Sequence, residues 1–211
     1  GLRHYIEKVY AVTGKDRICD ALSLCCHQNK INAVQDYLKD LPCWDGVTRV
    51  ETLFIDYLGA ADNTYTRAVA KTSLTAAVAR AMNPGVKYDY MPVLVGPQGL
   101  GKSTLLRLLA PKWFNDSLTT LEGKDSYETV KGSWIIELAE LVGMSKSDDN
   151  RIKQFLSKQD DIFREPYGRR TGRFPRRCVF FGTTNEEEFL RDHTGNRRFW
   201  PVNCGIQTPI K

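Results

Sequence analysis

The stretch from Met91 to Ser103, MPVLVGPQGLGKS, constrains the fold more than any other part of the chain. A short apolar run at 92–95 leads straight into Gly96-x-x-x-x-Gly101-Lys102-Ser103, and a leucine-rich segment follows at once. That order predicts a strand, a tight loop and a helix over 102–110 that Pro111 ends. Glycines at 96, 99 and 101 let the backbone turn successive N–H groups toward one point, and the helix start adds its partial positive end. Such a loop cradles polyphosphate. Lys102 supplies a mobile point charge for the β- and γ-phosphates, and the Ser103 hydroxyl is a hard oxygen ligand for the Mg²⁺ that travels with ATP. Gly96, Pro97, Gln98, Gly99, Leu100, Gly101, Lys102, Ser103 and Thr104 are therefore the expected nucleotide contacts.

Three further motifs follow in order. Gly132-Ser133-Trp134-Ile135-Ile136-Glu137-Leu138-Ala139-Glu140 reads as an apolar strand ending in acids. A P-loop NTPase needs one carboxylate there for the Mg²⁺ shell and one to orient the attacking water, roles that Glu137 and Glu140 can fill. The usual acid is an aspartate with glutamate directly after it. Here the two glutamates are three apart and would face opposite sides of a continuous strand, so both reach one site only if the strand ends near Leu138 and the chain turns. Which of them is the base stays open. Cys178 to Asn185, CVFFGTTN, is a hydrophobic strand with a polar tip. The Asn185 amide can donate to a γ-phosphate and accept from the lytic water, and it can equally cap a helix over 186–190. In Thr194-Gly195-Asn196-Arg197-Arg198-Phe199-Trp200-Pro201-Val202, two arginines precede an aromatic strand. Arg197, with Arg198 as second choice, is the expected finger for a neighbouring subunit's phosphoryl group, which would require a ring.

The residues before about 88 show apolar spacings of three and four and predict helices over 2–12, 16–27, 33–41, 50–58 and 64–82. From Tyr88 onward short apolar runs at 92–95, 134–137 and 178–183 alternate with helical segments, including one over 148–157, which implies a buried, mostly parallel sheet. The expected organisation is an all-helical domain over 1–88 and an α/β phosphate-loop domain over 89–211. With 42% hydrophobic residues in 211, a core of that size can be buried. No apolar run approaches the roughly 18 residues of a membrane span, and nothing signal-like opens the chain, so a cytoplasmic protein is expected. A start at Gly1 without methionine suggests a piece of a longer protein.

Six cysteines form no C-x-x-C pair and only three histidines accompany them, so zinc is not expected. Cys178, Cys25 and Cys26 fit buried reduced thiols. The net charge of +5 is focused in one place: Arg164, Arg169, Arg170, Arg173, Arg176 and Arg177 stand against Glu165 alone, while the rest is nearly balanced. That loop is a candidate anion or nucleic-acid surface.

Phosphate loop, strand-end glutamates, Thr-Thr-Asn strand and Arg-Arg-Phe-Trp, in that order, resemble the virulence-associated protein E family of phage and mobile elements. That family is related to superfamily 3 helicases within the AAA+ ATPases. Asp36-Tyr37-Leu38, Trp44-Asp45-Gly46-Val47-x-Arg49, Pro84-Gly85-x-Lys87-x-Asp89-Tyr90 and Arg164-Glu165-Pro166-Tyr167-Gly168-Arg169 strengthen the resemblance, which covers about 34–202. It implies an ATP-driven helicase, translocase or loader acting in DNA replication, usually as a ring, with the segment 160–177 touching single-stranded DNA in the pore without reading sequence. Tyr167 and Phe174 could then stack on bases. The chain ends about ten residues after Trp200, leaving little room for a C-terminal helical lid. Two rivals share the phosphate loop: an ATP-gated scaffold with negligible turnover, and a small-molecule kinase indifferent to DNA.

Overall fold

A computed structural model of the chain describes residues 1–29, 31–118, 121, 123–139, 146–164, 171–185 and 196–210. Glu140, Arg169, Arg170, Tyr167 and the expected helix over 186–190 lie outside the described residues. The chain divides into two compact units, Gly1–Asp40 and Leu41–Lys211.

The first unit holds α1 (Leu2–Tyr10), α2 (Lys15–Gln28) and α3 (Ala33–Lys39). The first of these ends where Ala11 takes a left-handed backbone, φ 55°. The last begins where the Asn32 side chain accepts from the Gln35 N–H at 3.3 Å, an N-cap of the expected kind. Among its described residues only Ile18 is buried. Cys25 and Cys26 are exposed, so burial was the wrong expectation for them.

The second unit is built on five strands: β1 (Met91–Val95), β2 (Phe114–Asn115), β3 (Ile135–Leu138), β6 (Val179–Thr184) and β7 (Phe199–Asn203). They lie in the order β2-β3-β6-β1-β7, and every neighbouring pair is parallel. All residues of β1, β3 and β6 are buried, as expected for central strands covered on both faces. One face, carrying Met91, Val93, Ile136, Leu138 and Phe180, packs with Val130 of α7 (Lys124–Lys131) and with Ile152, Phe155 and Leu156 of α8 (Lys146–Leu156). By the two-residue period of a strand, Glu137, Phe181, Thr183 and the strand-end Asn185 share the opposite face. On that face lies α6 (Lys102–Leu109), in contact with β3. A separate antiparallel hairpin joins β4 (Asp160–Phe163) to β5 (Gly172–Pro175).

The boundary expected near residue 88 is corrected to Asp40–Leu41, because α4 (Leu53–Leu58) and α5 (Thr64–Met82) belong to the same unit as the sheet. Thr66, Val69, Ala70, Ser73, Ala77, Arg80 and Ala81 form the buried face of α5, and their small side chains admit close approach. Arg80 is fully buried and donates to three carbonyls: Val86 at 3.1 Å, Tyr88 at 2.8 Å and Cys178 of the sheet at 2.8 Å. The Trp134 indole donates to the Ala77 carbonyl at 2.9 Å. After β7 the chain returns to α4, where Gly59 lies so near Gln207 that a Cβ would sit 2.1 Å from its carbonyl oxygen. Among the described residues no helix is long and apolar enough to cross a membrane.

Candidate functional site

The loop between β1 and α6 leaves the sheet clasped on both sides. Gly96 N–H donates to the Thr184 carbonyl at 3.2 Å, and Cys204 N–H donates to the Val95 carbonyl at 2.7 Å. A Cβ at Gly96 would stand 2.9 Å from the Cys204 carbonyl oxygen, so glycine is required there by crowding rather than by φ. Gly99 and Gly101 carry φ of +83° and +92°, the left-handed turn that lets the loop curl and α6 begin.

Lys102, the first residue of α6, is only 7% exposed. Its ammonium donates to the carbonyls of Gly96 at 2.5 Å and Pro97 at 3.0 Å and to Asn185 Oδ1 at 3.0 Å. Burial pushes this ammonium below the ordinary lysine value, opposed by the nearby Cys204 and Glu137. The Cys204 thiol is in turn pushed up to about 12 by burial, against the pull of Lys102.

One helical position further, Ser103 Oγ donates to Glu137 Oε1 at 2.6 Å, and Thr183 Oγ1 donates to the same oxygen at 2.6 Å. Glu137 is 1% exposed. Its second oxygen, Oε2, is buried without a hydrogen-bond partner among the described residues. Ser103 and Glu137 are thus two hard-oxygen groups that can hold a divalent cation, with an orphaned carboxylate oxygen available to it. The β3 strand stops at Leu138, as a site for both glutamates would need, and Ala139 lines the cavity; Glu140 lies beyond the described residues. The cavity measures about 360 Å³, and its walls take in Gln98 to Thr104 together with Glu137, Thr183, Thr184 and Asn185.

Three motifs separated in sequence therefore meet at the carboxyl edge of a parallel sheet, where open α/β sheets bind ligands. The two arginines do not join them. Arg197 and Arg198 occupy a single 3-10 turn, Asn196–Arg198, before β7, and β7 is parallel to β1 with Phe199 opposite Met91. They lie at the amino end of the sheet, a strand length of about 15 Å from the loop. Arg198 Nε donates to Ser157 Oγ at 3.0 Å, whereas Arg197 is exposed.

The arginine-rich segment is divided. Arg164, Arg173 and Arg177 are exposed, and Arg173 pairs with Asp160 at 2.5 Å. Arg176 is a correction: it is 1% exposed, its Nε and Nη2 both bond Asp161 at 2.8 Å, and Nη1 donates to the Phe155 carbonyl. A guanidinium held inside the hairpin base cannot meet DNA. Charge counting from Arg164 began just past Asp160 and Asp161, the acids that the hairpin register returns to this segment. Thr183 was not singled out from the sequence; the signal was a second polar residue on the Asn185 face of the strand beside the glutamate strand.

An all-parallel α/β sheet with a glycine loop, a buried glutamate and a strand-end asparagine around one cavity defines the class of protein. Residues 38–211 match the virulence-associated protein E-like domain, and the chain belongs to that family. Among solved structures it is similar to the NrS-1 C-terminal region in an A-form apo structure, with 18% identity and a TM-score of 0.54. That match covers 74% of this chain and 37% of the other. A second A-form apo structure of the region gives 17% and 0.50, covering 74% and 36%, and another apo structure gives 16% and 0.50, covering 75% and 38%. At such identities the likeness concerns the fold alone, and the chain spans little more than a third of those structures. No curated protein matches the sequence.

Proposed function

We propose that this chain carries a P-loop ATPase module of the AAA+, superfamily 3 helicase-like type. In this reading it serves as a DNA helicase, translocase or loader in the replication of a phage or mobile element, within the host cytoplasm. The observation that carries the reading is the meeting of Lys102, Ser103, Glu137 and Asn185 at one cavity.

Loop amides and Lys102 hold the phosphates of ATP, the ammonium exchanging the carbonyls of Gly96 and Pro97 for phosphate oxygens. That exchange frees Asn185 Oδ1, so the amide turns to the γ-phosphate and the attacking water. Ser103 and Glu137 hold Mg²⁺, which supplies Lewis-acid neutralisation of phosphate charge. Glu140 orients the water. Arg197 reaches the site of a neighbouring copy in a ring, and the exposed arginines of the hairpin segment meet the backbone of single-stranded DNA.

Calorimetric titration with ATP and Mg²⁺ tests the core of this reading without requiring a ring. Saturable uptake is expected, with Lys102→Ala abolishing it; no uptake, or uptake unchanged by Lys102→Ala, refutes the assignment. Turnover stimulated by single-stranded DNA supports the motor. Stimulation by a metabolite alone indicates a kinase, and nucleotide-dependent assembly without turnover indicates a scaffold.

A further inference from the structure

A second cavity, about 130 Å³, opens where the last turn of α7 meets the β4–β5 hairpin. Tyr127, Phe163 and Phe174 line it together with Lys131 and Arg177. Local structure explains the assembly. Tyr127 and Lys131 are four apart on α7 and so share a helical face, and Phe163 lies two residues after Asp161 on the buried side of β4.

The three rings form a ladder. Tyr127 stacks on Phe163 with centroids 5.7 Å apart at 19°, and Phe163 meets Phe174 at 4.6 Å and 37°. The Phe174 ring lies over Gly172, where a Cβ would come within 2.7 Å of ring carbon, so glycine is what admits the ring at this spot. The acid in the lining, Asp161, has both oxygens taken by Arg176. What the cavity presents beyond that neutralised pair is aromatic surface and two cations. The Lys131 ammonium stands 4.3 Å from the Phe174 ring centroid.

This combination is selective in its chemistry. An apolar peptide would use the rings and leave the cations without partners; an acidic peptide or free phosphate would use the cations and not the rings. A planar heteroaromatic base on a phosphodiester uses both, and the volume suits one base rather than two. We propose that the cavity takes a single base of single-stranded DNA, stacked on Phe174, with Lys131 and Arg177 meeting the adjoining phosphates. The proposal rests on the DNA-binding reading above and adds a base-level contact to it. As the base stacks, Lys131 exchanges the ring for a phosphate oxygen. Every base offers a π face, so the contact is tolerant of sequence.

Fluorescence anisotropy on the full chain, with an oligothymidine and an abasic sugar–phosphate strand of equal length, separates the two levels because backbone charge is common to both. The thymidine strand is expected to bind about tenfold more tightly. Phe174→Leu should erase that preference and Phe174→Trp keep it, each checked by thermal melting. Lys131→Gln should weaken both strands alike and reduce the salt slope by about 1. A strand carrying 5-iododeoxyuridine should photocrosslink to Phe174 or Tyr127 in the unmutated protein, which locates the base without any variant. Equal binding of the two strands, or crosslinks mapping elsewhere, overturns the base site while leaving backbone binding intact. Failure to bind either strand removes the DNA reading and this inference together.

Discussion

Replacing Thr183 by valine removes a hydroxyl and keeps the branched shape of the side chain. The lost group is one of two donors to a carboxylate that is 1% exposed, at 2.6 Å, the other being Ser103 at the same distance. A hydrogen bond to a buried charged group contributes about 1.5–3 kcal/mol. For a chain of this size, Thr183→Val should therefore lower the melting temperature by roughly 3–12 °C. The functional consequence is separable. With Ser103 as its remaining printed donor, the Glu137 carboxylate can swing, and removing a group that orients a metal ligand typically weakens metal affinity by about 10–100-fold. The Mg²⁺ concentration for half-maximal nucleotide uptake should rise by that factor, whereas nucleotide bound without metal should be little affected. Thr183→Ser retains the hydroxyl and should restore the Mg²⁺ midpoint. Circular-dichroism melts and nucleotide titrations at graded Mg²⁺ read the two effects. A valine variant that melts with the parent and keeps its Mg²⁺ midpoint would show that Thr183 neither supports nor aims Glu137.

Asp161→Ala strands the Arg176 guanidinium in the interior and should cost about 3–5 kcal/mol, seen as a large drop in chemical-denaturation midpoint; DNA affinity per folded molecule should not change. Gly96→Ala drives a methyl to 2.9 Å from the Cys204 carbonyl oxygen, so the loop must shift, and nucleotide affinity in calorimetry should fall even though no phosphate-facing side chain is altered. Arg197→Ala should bind nucleotide normally and fail to turn it over, with partial recovery of ATPase rate when it is mixed with Lys102→Ala subunits. No recovery on mixing would exclude action between copies.

The loop, the glutamate and the asparagine were legible because each is written in a few consecutive residues. Gly96 to Ser103 states its own geometry, and Glu137 and Asn185 each follow an apolar run that can only be a strand. What the sequence concealed depends on partners far along the chain. Arg80 meets the Cys178 carbonyl across 98 positions, so a helical stretch that reads as its own domain is in fact part of the sheet's unit. Arg176 belongs to a basic run until the hairpin folds Asp161 against it. The helix α7 carries few apolar residues, and β2 has only two residues paired to β3, too short to leave a periodic trace.

Strand order explains why Asn185 is the residue best placed to couple the two halves of the proposed chemistry. Since β6 lies between β1 and β3, the side chain that follows it stands between Lys102 on one flank and Glu137 on the other. It bonds Lys102 directly, and Thr183, two residues earlier on the same face, bonds Glu137. A change in what Lys102 holds is therefore transmitted to one strand end that also supports the carboxylate. The arginines stand at the far end of the same parallel sheet. A subunit built in this way offers its loop at one edge and its guanidinium at the other, so each interface of a head-to-tail assembly uses one of each. A two-fold dimer would have to bring both edges into a single contact. Closure of the head-to-tail arrangement gives a ring, the form in which the proposed ATPase would act.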